Sequence, residues 1–297
     1  MWNSMKRKRS VRNRRARRCL FLILLALLAL LLIWPRTVHL EGLVSPYAIL
    51  VDADSGEAVA EKEADVSIYP ASMTKVMTAL LALEANPDLE QPVTLPEDIF
   101  PELRAEGASM AGFLPGETAT ARDLLYGALL PSGAECCETL AREVSGSEEA
   151  FVASMNQKAA ALGMASTHFC NPTGLHDPEH VSTARDMAVL LRAAMQNEMF
   201  RTIFATARYT VPPTNLHPDG FTMESTFWSE LDGTELRRGK FLGGKTGYTS
   251  AAGLCLASAA EVKGKTYLMV TAGAQGNHNT EPYHVDDAVN VCRQLAR

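Results

Sequence analysis

The stretch that decides the fold is "GKFLGGKTGYTSAAGLCLASAAEVKGKTYLMVTAGA", residues 239–274. Strand-like runs alternate with glycine-bearing turns such as Lys263-Gly264-Lys265, the pattern of three antiparallel strands. At the other end, "PYAILVDADSGEAVAEKEAD" (46–65) reads as two strands around a turn at Asp54-Ser55-Gly56. The middle is helical. A helix starting at Pro70 and Ser72 carries Met, Ala and Leu every three or four residues. Residues 120–130 form a helix stopped by Pro131, and "AECCETLAREVSG" resumes to Gly146. Ser147 caps the next helix, and Ser182 or Thr183 caps a helix over 182–197. Residues 93–121 read as irregular, and "YHVDDAVNVCRQLAR" closes the chain as an amphipathic helix. Strands at both ends with helices between predict an α/β (α+β) domain over 46–297. Its antiparallel sheet is built from both termini and flanked by helices, with a helical subdomain.

Charge is distributed unevenly. Residues 1–18 hold nine Lys/Arg and no Asp/Glu. The remainder carries 19 basic against 34 acidic residues, a net −15. An acidic folded part is a poor match for nucleic acid, and none is expected as a partner. After the basic tail comes "CLFLILLALLALLLIW" (19–34), without one polar side chain. A basic block before an apolar run is a membrane-targeting pattern, basic end inside. Sixteen helical residues span about 24 Å, a little short of a bilayer core of about 30 Å. A cleaved signal is therefore the alternative. The long basic block, and the lack of an A-x-A-like site after Trp34, favour a retained transmembrane anchor with 35–45 as linker. The rest of the chain is then extracytoplasmic at the cell membrane.

Five of the six cysteines fall in this exported part. An odd number, with Cys136 and Cys137 adjacent, does not make a disulfide framework, so free, buried thiols are expected. No C-x-x-C occurs, and a cysteine zinc site is not expected. His176 and His180 in "HDPEH" have metal-binding spacing only on a helix, which Pro178 opposes. No metal or cofactor is expected.

Lys75 falls one turn after Ser72, on a face shared with Val76, Ala79 and Leu83. A serine hydroxyl needs a base to become nucleophilic, and a desolvated lysine can supply one. The helix start adds backbone N–H groups that favour developing negative charge. By itself S-x-x-K also fits a cap serine followed by a snorkelling lysine. "GGKTGYTSAAG" (243–253) puts Lys245, Thr246, Gly247 and Tyr248 on a strand whose glycines allow close approach of a ligand. Ser132, in "LLPSGAECCETLA", follows a helix break and could relay a proton.

S-x-x-K, a serine motif and K-T-G, in that order, are the set known from β-lactamases and penicillin-binding proteins. Residues 46 to about 295 resemble the low-molecular-mass penicillin-binding proteins, the serine-type D-alanyl-D-alanine carboxypeptidases. The likeness extends to "YAILVDADSGEAVAEKEAD", "LLYGALLPSGAE" and "NPTGLHDPEHVSTARDMA". It implies the serine β-lactamase/penicillin-binding-protein fold and a substrate, the peptidoglycan stem peptide ending in D-Ala-D-Ala. It implies Ser72 as nucleophile, Lys75 as its base and Ser132 as proton relay. Lys245 and Thr246 would hold the terminal carboxylate, and Gly247 would let the substrate lie close to the strand. The N–H groups of Ser72 and Tyr248 would form the oxyanion hole. β-Lactam antibiotics would acylate Ser72. No extra C-terminal β-domain of the kind many relatives have is expected after the last helix, so the N-terminal segment is the expected membrane attachment.

One departure stands in the second motif, usually S-x-N, where Ala134 occupies the asparagine position. A missing contact of this kind costs about 1–3 kcal/mol, or roughly 10- to 100-fold in rate. The alternatives are a neighbouring group in its place, or a catalytically weakened or non-catalytic penicillin-binding relative. A β-lactamase fits less well, because no E-x-x-x-N pattern occurs anywhere in the chain. "MESTFWSEL" also stands where relatives often have Asn-Thr-Asn.

Overall fold

The computed structural model describes residues 38–85, 88–231 and 233–297. The expected basic tail and apolar segment, 1–34, lie outside the described residues. Among the described residues no helix is long and apolar enough to cross a membrane.

Strands β1 (Tyr47–Asp52) and β2 (Ala58–Lys62) form the expected hairpin. A 3-10 turn over Ala71–Thr74 leads into α1 (Lys75–Ala85). β3 (Pro92–Thr94), α2 (Ile99–Ala105) and β4 (Thr118–Thr120) follow, then α3 (Ala121–Leu129), α4 (Ala134–Ser145) and α5 (Glu148–Ala161). Next come α6 (Ala184–Ala194), α7 (Glu198–Phe204), β5 (Arg208–Val211), β6 (Phe221–Glu224) and α8 (Thr226–Leu231). β7 (Gly239–Thr249), β8 (Gly253–Val262), β9 (Lys265–Ala274) and α9 (Tyr283–Ala296) complete the chain.

The five-stranded sheet runs β2-β1-β9-β8-β7, antiparallel throughout, so strands from both ends of the domain meet at β1 and β9. The two-residue turn between β8 and β9 has Lys263 at φ 53° and Gly264 at φ 76°, the handedness that matches strand twist in a tight hairpin. Both faces of the sheet are covered. Alternation along β1 sends Ile49 and Val51 to the helical side, with Val76, Met77 and Leu124. It sends Ala48 and Leu50 to the other side, with Val285, Ala288 and Val289 of α9. A one-residue slip would exchange the two sets, so the twin apolar faces pin the register. Part of the expected linker is packed: Leu40 and Leu43 are buried on the α9 side, and Asp287 accepts from the N–H groups of Val44 and Ser45.

Helix ends follow their local signals. Thr120 and Asp123 make a reciprocal capping box on α3. Ser147 caps α5, Thr183 caps α6, and Gly146 ends α4 at φ 80°. Three short helices, α2, α7 and α8, depart from the sequence reading. α2 lies inside the stretch expected to be irregular, with Pro101 in its first turn, where a proline costs no hydrogen bond. α7 is capped by Asn197, whose side chain accepts from Phe200 N. The five described cysteines are free, and Cys170 alone among them is not buried.

Candidate active site

Ser72 lies within the 3-10 turn, and the α-helix proper starts at Lys75. The serine side chain therefore caps nothing. Its Oγ stands 2.9 Å from Lys75 Nζ. The preceding residue, Ala71, has φ 47°, a strained value for a residue with a Cβ. Two glycines press on this corner. A Cβ on Gly174 would collide with the Ala71 carbonyl, and one on Gly247 would come within 3.0 Å of Ser72 N. β7 thus lies directly against the backbone of the serine.

Lys75 is 2% exposed. Its Nζ also donates to the Thr173 carbonyl at 2.7 Å. Burial drives its pKa downward, only partly opposed by Cys137, Glu135, Cys136 and Glu138 of α4. A hydroxyl beside a desolvated amine has the arrangement that a nucleophile and its base require.

Ser132 follows α3 with φ 70°, a second strained non-glycine residue at the site. Its Oγ accepts from Lys245 Nζ at 3.0 Å. Lys245 is completely buried, donates also to its neighbour's carbonyl at Thr246, and is pushed well below the usual lysine range by burial and by Lys75. The register of β7 on β8, with Lys245 opposite Ala257, fixes where this lysine emerges. Thr246 Oγ1 pairs with Thr226 Oγ1 at 2.6 Å, which ties α8 to the K-T-G strand.

Ala134 is 1% exposed and its N–H donates to Ser109 O. Next to it, buried Glu135 accepts from Ala111 N at 2.7 Å and Gly112 N at 3.0 Å, which fastens the 109–112 loop over the second motif. A cleft of about 440 Å³ brings together Ser72, Lys75, Ala134, Thr173 and Tyr248, with His176 and His278 at its walls. A larger hollow of about 560 Å³, between the β1–β2 hairpin and α6, contains none of the motif residues.

Three participants escaped the sequence reading. Thr173 meets Lys75 through its backbone, so its side chain gave no signal. Thr226 belongs to the segment that departs from the usual Asn-Thr-Asn. His180, one of the pair with metal-like spacing, is instead buried: Cys170 N donates to its Nδ1, and Nε2 donates to Thr74 Oγ1 at 2.8 Å. His176 packs edge-on against Tyr69. Among the described residues no three metal-ligating side chains converge.

The family described as D-alanyl-D-alanine carboxypeptidase matches residues 36–276. A D-alanyl-D-alanine carboxypeptidase of Mycobacterium tuberculosis is 39% identical over 69% of this chain and 66% of its own length. A second, from Bacillus subtilis, is 33% identical over 76% of this chain and 57% of its own. The chain thus spans somewhat less than two thirds of these relatives. The crystal structure of a Streptomyces DD-transpeptidase superposes with a TM-score of 0.77 at 28% identity, covering 86% of this chain and 98% of the other. The antiparallel sheet with its flanking helices is accordingly the penicillin-binding-protein and β-lactamase type of fold, and the chain belongs to the D-alanyl-D-alanine carboxypeptidase family.

Proposed function

We propose that this protein is a serine DD-carboxypeptidase that removes the terminal D-alanine from peptidoglycan stem pentapeptides through an acyl-enzyme on Ser72. The observation that carries the reading is the pair of buried lysines, each on a serine: Lys75 on Ser72 at 2.9 Å and Lys245 on Ser132 at 3.0 Å. Ser72 Oγ attacks the carbonyl carbon of the penultimate D-alanine, and its proton passes to neutral Lys75. The oxyanion is held by the N–H groups of Ser72 and Tyr248, a placement supported by the contact of Gly247 with Ser72 N. Collapse breaks the C–N bond, and the departing amine takes a proton relayed through Ser132. Water then hydrolyses the ester, giving one proton back to Ser72 by way of Lys75. The Thr246 hydroxyl, braced by Thr226, meets the substrate's terminal carboxylate, and that arriving negative charge favours the protonated form of Lys245, which then supplies positive field behind it. β-Lactams acylate Ser72 as substrate mimics.

The domain order of the proposal is a cytoplasmic tail (1–18), a membrane anchor (19–34), a linker (35–45) and an extracytoplasmic catalytic domain (46–297). Sequencing the N-terminus of the mature protein tests the anchor: a start beyond about residue 40 would mean secretion instead. For the chemistry, the test is labelling with a fluorescent penicillin together with D-alanine release from a pentapeptide. Both are expected in the wild type and absent from a folded Ser72→Ala variant. Labelling that survives in the variant would sink the assignment.

A further inference from the structure

The segment 170–180 is sewn to the catalytic helix at three successive points. His180 Nε2 donates to Thr74 Oγ1 at 2.8 Å, Lys75 Nζ donates to Thr173 O at 2.7 Å, and Thr78 Oγ1 donates to Pro172 O at 2.6 Å. The turn that offers the middle carbonyl is organised by one side chain. Asn171 Oδ1 accepts from Thr173 N (3.1 Å), Thr173 Oγ1 (2.9 Å) and Gly174 N (2.7 Å), and its Nδ2 donates to Leu175 O (3.1 Å). Thr173 Oγ1 in turn accepts from Leu175 N. Gly174, at φ 78°, lets the turn touch Ala71.

A neutral amine has two N–H bonds and one lone pair. With one N–H committed to a fixed carbonyl, the rotation of the Lys75 amine is restricted, and the lone pair is left to face Ser72 Oγ. An asparagine at position 134 would be the other group able to orient this amine, and Ala134 cannot. We infer that Asn171 is a positioning residue for acylation: by shaping the 171–175 turn it makes the Thr173 carbonyl orient the general base, the task left vacant by Ala134.

The other groups facing Lys75 do not offer this service. Glu135 spends Oε1 on Ala111 and Gly112, and its buried Oε2 makes no hydrogen bond to Lys75; Lys245 is committed to Ser132 and Thr246, and His180 to Thr74 and Cys170. Cys136 and Cys137 are buried thiols held protonated by desolvation. Glu138 is likewise pushed up to about 8 by burial, and its acidic and basic neighbours beyond Lys75 are Glu148, Arg142 and Glu102.

The inference rests on Ser72 being the acylated residue, and the experiment separates the two. Stopped-flow acylation by a fluorescent penicillin resolves the pre-acylation dissociation constant from the acylation rate constant. In Asn171→Ala the rate constant is expected to fall about 10-fold with the dissociation constant unchanged, the loss of one orienting hydrogen bond. Thr173→Val, nearly isosteric and lacking the two hydroxyl bonds that brace the turn, is expected to fall about 3-fold in the same constant. A folded Asn171→Ala protein with the wild-type rate constant, or with its loss confined to the dissociation constant, overturns the inference. Should Asn171→Ala not fold, an unchanged rate constant in Thr173→Val does the same. A wild-type protein that forms no adduct at Ser72 removes both this inference and the proposed function.

Discussion

The two lysine corners of the site are built by different means. Lys245 projects from β7, and its position follows from a long antiparallel ladder with β8. Lys75 projects from the first turn of a helix, and its Nζ is steered by a carbonyl in a loop 98 residues away. The first is secured by many backbone bonds, none of them decisive. The second depends on one turn. Both lysines are desolvated, which disfavours their charged forms, but only Lys75 has its nitrogen beside the serine that follows strained Ala71. A strand makes a dependable mount for charge, whereas a helix start with a loop strap makes an adjustable mount for a base.

Neutralising each corner should break the symmetry most. Lys75→Met keeps the apolar packing and removes the base, so acylation by penicillin is expected to fall by about 10³- to 10⁴-fold. Lys245→Met leaves Ser72 its base and should cost about 10²-fold, with a clear rise in KM for the pentapeptide as the field on the terminal carboxylate is lost. Equal losses in the two variants would mean that the lysines act as one unit.

A smaller effect is expected at Ala134. Its side chain is buried, and the loop above it is fastened by Glu135. Ala134→Asn is therefore expected to slow acylation about 10-fold, through overpacking worth about 1–3 kcal/mol. A faster variant would show that the alanine is a plain missing contact, and that the Thr173 carbonyl leaves room for the amide.

The smallest effect concerns pH and sharpens the contrast from the side of α4. Burial, then the charge of Glu148, raises Glu138 to about 8. Between the ordinary carboxyl range and about pH 8 the folded state holds a proton that the unfolded chain has released. Stability from this group therefore declines as pH rises through that window. Glu138→Gln should match the wild type in Tm near pH 4 and exceed it by a few degrees at pH 8.5. His180 works in the opposite direction. Burial lowers it from 6.5 to about 4, so its contribution is lost as pH falls through that interval. A Tm gain in Glu138→Gln that is the same at both pH values would show that ionisation is not its source.

The sequence by itself was enough for the strands at 47–62 and 239–274, the helices capped by Ser147 and Thr183, the free cysteines and the order of the three motifs. Those features are local. Apolar alternation, a glycine past a helix end, or a threonine three residues before an aspartate acts within one or two turns of chain. Their order along the chain also carried the family. The tertiary structure alone decided who meets whom. That Lys245 rests on Ser132, 113 residues away, could be expected only from the resemblance. That Lys75 rests on Thr173, that Thr226 braces Thr246, and that Glu135 pins the 109–112 loop had no sequence signature. The physical reason is that the acceptor for Lys75 and the donors to Glu135 are backbone groups, which nearly every residue possesses. Which of them lies within 3 Å of a given side chain is set by how helices, loops and sheet pack around a shared core. The strain at Ala71 and Ser132 has the same origin: nothing local asks either residue for a positive φ, and only the close contact of the surrounding segments holds them there.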